Sequence, residues 1–111
     1  MSALYAMRYV GKEGLGFGAI YIGHGKIVGI DAANGRYQGT YTENGGRMKG
    51  LVSMSAPPGG AMLVTGATLP AGKKMTVMFD WPDTFANGQP QQLNVGGSQV
   101  SVTMEKVGDT P

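Results

Sequence analysis

Apolar and polar side chains alternate one by one through long parts of this chain, a rhythm that suits a pleated strand and not a helix. From Lys74 to Trp81 the apolar set Met75, Val77, Phe79 and Trp81 interleaves with Lys74, Thr76, Met78 and Asp80. From Gln99 to Glu105, Val100, Val102 and Met104 interleave with Gln99, Ser101, Thr103 and Glu105. Strands of this kind bury one face and wet the other, as antiparallel sheets do. Tyr37, Gly39 and Tyr41 share one face of another strand, with Arg36, Gln38, Thr40 and Thr42 opposite. Further strands are predicted at Leu4–Val10, Gly16–Ile22, Lys26–Asp31, Arg47–Met54, Ala61–Thr68 and Gln91–Val95, about nine in all.

Turn chemistry separates them. Asn34-Gly35, Asn44-Gly45-Gly46, Gly59-Gly60, Ala71-Gly72, Asn87-Gly88 and Gly96-Gly97 supply the positive φ of tight hairpins at intervals that suit an up-and-down meander. Pro82 to Asn87 alone has a helical look, and it is long enough for a single turn only. A flat meander would leave two exposed edges, so closure into a small antiparallel β-barrel is the expected fold, with a two-sheet sandwich as the alternative.

The glycine-dense stretch GLGFGAIYIGHGKIVGID, residues 14–31, invites a different reading. Gly14, Gly16 and Ala19 fit the loose spacing of a dinucleotide-binding turn, which requires a helix to follow. Ile20-Tyr21-Ile22, Gly23-His24-Gly25 and Ile27-Val28-Gly29-Ile30 follow instead. Glycine costs about 1 kcal/mol against alanine inside a helix. Two strands joined by a turn at His24-Gly25 explain the residues better.

The 111 residues suffice for one domain with one core. Cysteine is absent, which excludes disulfides, thiolate metal sites and a thiol nucleophile. The formal charge of +2 comes from scattered cations, Lys73-Lys74 being the only adjacent pair, so no nucleic-acid footprint is expected. No leader-like start and no long apolar run is read, so the expectation is a cytoplasmic protein that does not enter a membrane.

Gly16-Phe17-Gly18, Gly23-His24-Gly25, Ile27-Val28-Gly29-Ile30-Asp31 and Tyr37-Gln38-Gly39 resemble, in order and spacing, the first half of the GrlR family, small negative regulators of type III secretion. A fainter likeness runs from Leu4 to Trp81. The resemblance implies a closed, lipocalin-like barrel, usually a homodimer, that represses by holding a transcriptional activator and not by touching DNA. Where that family is associated with a strongly acidic loop, this chain has Glu43-Asn44-Gly45-Gly46. Glu43 and Asn44 are therefore the candidate partner loop.

The catalytic options are thin. His24 is the one histidine and sits between glycines at a predicted hairpin tip, a poor place to hold a base against a nucleophile. Asp80 and Asp83 flank Trp81-Pro82 as an acid and base pair beside an aromatic sugar platform would, yet an outward strand position and a turn cap account for them. No catalytic residue, metal ligand or cofactor is assigned. Two functions are carried forward: a regulatory or adaptor barrel acting by protein association, and a carrier of an apolar small molecule. The second would use an interior lined by Tyr5, Met7, Tyr9, Tyr37, Tyr41, Met75 and Phe79. The simpler expectation is an interior filled by its own side chains. Phe17 and Phe85 are the candidate dimer contacts.

Overall fold

The computed structural model describes residues 2–111. It contains β1 (Ser2–Gly11), β2 (Gly14–Gly23), β3 (Lys26–Asp31), β4 (Arg36–Asn44) and β5 (Arg47–Ser55). These are followed by β6 (Ala61–Met62), β7 (Thr68–Leu69), β8 (Lys74–Pro82), β9 (Gln91–Val95) and β10 (Ser98–Asp109). Eight strands form one antiparallel sheet in the order β8-β5-β4-β3-β2-β1-β10-β9. Every neighbour in that order is also the next long strand in the chain, except that β10 returns to pair with β1. The sheet therefore curls into a nearly closed up-and-down barrel, with a seam between β8 and β9. No helix is present among the described residues, and none is long and apolar enough to cross a membrane.

Three two-residue hairpins set the register. His24 and Gly25 have φ of 52° and 76°, Gly45 and Gly46 of 61° and 78°, and Gly96 and Gly97 of 58° and 88°. Paired positive φ values are those of a type I′ turn, whose twist matches the flanking strands. The glycine-rich segment 14–31 is thus a hairpin, with Gly18 to Gly23 paired against Asp31 to Lys26.

Alternation in the sequence becomes inside and outside. Tyr5, Met7, Ile20, Ile22, Ile27, Met48, Phe79, Trp81, Val100, Val102 and Met104 are all buried. The two ends of the barrel differ. At one end Phe85, on the segment between β8 and β9, is 2% exposed and packs its ring 5.4 Å from Tyr5 and 6.0 Å from Trp81. This aromatic group plugs the barrel. At the other end, segment 56–73 folds over the mouth, its short β6–β7 hairpin tied to the β1–β2 turn by Glu13 N–H donating to Val64 O at 2.8 Å.

Two expectations change, and the single turn expected over 82–87 is present without becoming a helix. The strand expected at Ala61–Thr68 is two short strands, because Gly66 at φ 91° closes a turn with its N–H on Leu63 O. The helical turn expected over 82–87 is one hydrogen-bonded turn, Phe85 N–H to Pro82 O. Phe85, placed at a dimer contact by sequence, is a core residue and offers no surface to a partner.

Candidate functional site: an apolar cavity with one polar corner

Inside the barrel, on the mouth side of the aromatic plug, lies a cavity of about 410 Å³. A filled interior was expected. Glycine takes the inward positions 16, 18, 29, 39 and 50, and a position without a side chain leaves its share of the barrel unfilled. Two of these glycines also receive an aromatic ring. A Cβ on Gly16 would stand 2.3 Å from the ring of Tyr9, and one on Gly50 2.8 Å from that of Phe79. Gly16, the middle residue of the nucleotide-like motif, is there to let Tyr9 lie across β2.

Of the residues expected inside, Met7, Tyr9, Tyr37 and Phe79 line the cavity. Tyr5 and Tyr41 point inward but lie toward the plugged end, outside the wall. Met75 is half-buried and also off the wall, with its Cε 4.0 Å from where a Cβ on Gly96 would be. Phe17 is 54% exposed at the mouth end of β2. Glu43 and Asn44 are exposed at the β4–β5 hairpin, at the end away from the mouth.

The wall is mostly hydrocarbon, aromatic and thioether, with Ser55 and Thr65 as neutral hydroxyls and one charged group, Asp31, near the mouth. Asp31 ends β3 and points inward at 9% exposure. Its Oδ1 accepts the N–H groups of Ala33 at 3.0 Å and Gly35 at 2.8 Å, which shapes the β3–β4 turn. Its Oδ2 accepts the hydroxyls of Tyr9 at 3.0 Å and Tyr37 at 2.6 Å. A buried carboxylate held by four donors meets its hydrogen-bonding needs without an ion pair. Asp31 was not singled out from sequence as a site residue. The available signal was its parity, since Ile27, Gly29 and Asp31 share one face, and an acid on an otherwise apolar inward stripe calls for partners.

Burial is the main reason the Tyr9 hydroxyl is pushed up to about 12, with the Asp31 charge adding to it. Burial and the bond to Asp31 raise Tyr37 as well. Below pH about 10, where a free tyrosine begins to ionise, both the folded and the unfolded chain keep these protons. Above it the unfolded chain releases them first, so stability falls as pH rises from about 10 towards about 12. Urea midpoints taken across that range are expected to drop, and Tyr37→Phe is expected to flatten the drop. An equal slope in the variant would separate Tyr37 from the effect.

Other charged groups have structural work. Asp80 accepts a hydrogen bond from Arg47 at 3.0 Å on the outer face, and Asp83 N–H donates to Gly46 O at 2.9 Å. His24 is exposed at its hairpin tip, with Nε2 3.4 Å from Pro111 O.

The outer face is uneven. The outward residues of β4, β9 and β10 are mostly polar: Arg36, Gln38, Thr40 and Thr42; Gln92 and Asn94; Gln99, Ser101, Thr103 and Glu105. Across β1, β2 and β3 the outward face is instead largely apolar. The cross-strand pairs Val10–Leu15, Ala6–Ala19, Leu4–Tyr21, Ala19–Ile30 and Tyr21–Val28 form an apolar surface that Phe17 extends, with the exposed Arg8, the partner of Phe17, set into it. Of the ten large hydrophobic side chains exposed among the described residues, six belong to it, from Leu4 at 38% to Leu15 at 57%. A soluble monomer rarely shows so connected an apolar face.

Compared with protein-family models, curated proteins and solved structures, the chain matches none. Function must be argued from the cavity and the surface.

Proposed function

We propose that this protein is a non-enzymatic barrel that holds a small, mainly apolar molecule in its interior. One observation carries the reading: a mainly apolar cavity of about 410 Å³ inside the nearly closed barrel. That volume lies within the range of about 300–1,000 Å³ usual for small-molecule sites. At about 30 Å³ per water-sized group, it has room for roughly ten to fifteen non-hydrogen atoms. A neutral naphthylamine dye, whose emission rises in apolar surroundings, is the direct probe. Saturable binding with one dye per chain is expected, and Val52→Trp, which would put an indole into the cavity, is expected to abolish it. Binding that does not saturate, or that survives Val52→Trp unchanged, would sink the reading.

A second reading, protein association, is favoured by a different observation, the apolar outer face of β1–β3. The resemblance to the GrlR family points the same way, towards a homodimer that sequesters a transcriptional activator in the cytoplasm. The two readings use opposite sides of one sheet and share only Leu15 and Phe17 at the mouth. An occupant inside and a partner outside are compatible.

A further inference from the structure

We infer that the molecule held in the cavity ends in a hydrogen-bond donor, an alcohol or an amine, that meets Tyr9 and Tyr37, and that carboxylate-headed chains such as fatty acids are rejected. This rests on the reading of the cavity as a ligand site, and it names the chemistry of the occupant.

The reasoning is a count of protons. A tyrosine hydroxyl has one proton to donate and lone pairs with which to accept. The protons of Tyr9 and Tyr37 are both directed to Asp31 Oδ2. Asp31 Oδ1 is taken by the N–H groups of Ala33 and Gly35. The two phenols also lie within reach of one another, but with both protons on Asp31 each oxygen keeps a lone pair with which to accept from an occupant, and the Asp31 carboxylate stands beside them in the wall. An alcohol or amine supplies the missing donor, and an ammonium group adds Coulomb attraction to Asp31. A carboxylate supplies neither. It would lie in a low-dielectric site beside a like charge, and the cavity wall contains no lysine, arginine or histidine to offset it. The hydrocarbon part of the occupant extends from this corner towards Ile22, Met48 and Trp81 at the far end of the cavity.

The corner is also a device whose sense can be reversed. An asparagine at position 31 can keep Oδ1 as the acceptor for Ala33 and Gly35. Its amide nitrogen would then donate to the phenols where the carboxylate had accepted. Their protons would be released towards the cavity, and the negative charge would be gone.

The test displaces the naphthylamine dye from the full-length protein at neutral pH with three chain-matched compounds: decanol, decylamine and decanoate. Decanol and decylamine are expected to displace it at concentrations about tenfold or more below decanoate, the size of one good hydrogen bond. In Asp31→Asn, decanoate is expected to gain and decylamine to lose by a similar factor. Tyr37→Phe, which leaves the turn bonds of Asp31 in place, is expected to weaken decanol while decylamine still outcompetes decanoate. That variant keeps the test decisive should Asp31→Asn fail to fold. Equal displacement by all three compounds, or a preference for decanoate in the unaltered protein, overturns the head-group inference and leaves the cavity reading standing. Failure of the dye itself to bind removes both.

Discussion

Phe85→Ala is expected to lower the unfolding free energy by about 3–5 kcal/mol, the usual cost of deleting a fully buried phenylalanine ring. Phe85 comes from a segment with no regular structure, yet it is among the most buried side chains in the protein. Its ring meets Tyr5 of β1 and Trp81 of β8, and so joins strands that share no backbone ladder. Nothing nearby can replace it, because a collapse of the surrounding walls would have to pull on paired strands. Urea unfolding followed by the fluorescence of Trp81, the single tryptophan, gives the value directly. The native emission should also shift to the red as water reaches the indole. A loss under about 1 kcal/mol would mean that the plug contributes little beyond ordinary surface packing.

On the proposal that the outer face of β1–β3 pairs with its own copy, Phe17→Glu combined with Val28→Glu is expected to abolish that association while leaving the urea midpoint nearly unchanged. Both side chains point away from the core and are more than half exposed, so charge there should disturb association far more than folding. Carboxylates placed on an apolar interface must be desolvated against their own symmetry copies, since a two-fold contact brings the same patch together. Sedimentation or light scattering across a concentration series reads the change. A native protein that stays monomeric at high concentration would leave the outer face of β1–β3 without its proposed homodimer role.

Much of the fold could be read from the residues because two local rules agree with the global one. The alternation in Lys74–Trp81 and Gln99–Glu105 assigns each side chain a side, and the burial of Phe79, Trp81, Val100, Val102 and Met104 follows it. The glycine pairs at 45–46 and 96–97 occupy positive φ, as hairpins of that length require. Where periodicity stops, so does legibility. Ala61 to Leu69 has a run of neighbouring apolar residues that suits a strand equally well, and the turn at Gly66 together with docking on the β1–β2 turn decides its shape. Phe85 sits among Pro82, Asp83, Thr84 and Asn87, whose turn character says nothing about which way a ring will point.

The candidate site was legible in part. Tyr9, Tyr37, Met7 and Phe79 are inward by parity alone, so a list of interior residues was within reach. That Tyr9 and Tyr37 converge on Asp31 depends also on the registers of β1 with β2 and of β3 with β4, which no turn with paired positive φ fixes. The cavity volume was equally out of reach, since it depends on how five inward glycines are shared among neighbouring rings.

The barrel is laced all round except between β8 and β9, where the Trp81 indole N–H donates to Gln92 O at 3.0 Å in place of a ladder. Parting β8 from β9 would break no backbone ladder, whereas parting any other pair of neighbours in the barrel would break one, so the seam is the line along which the wall is cheapest to open.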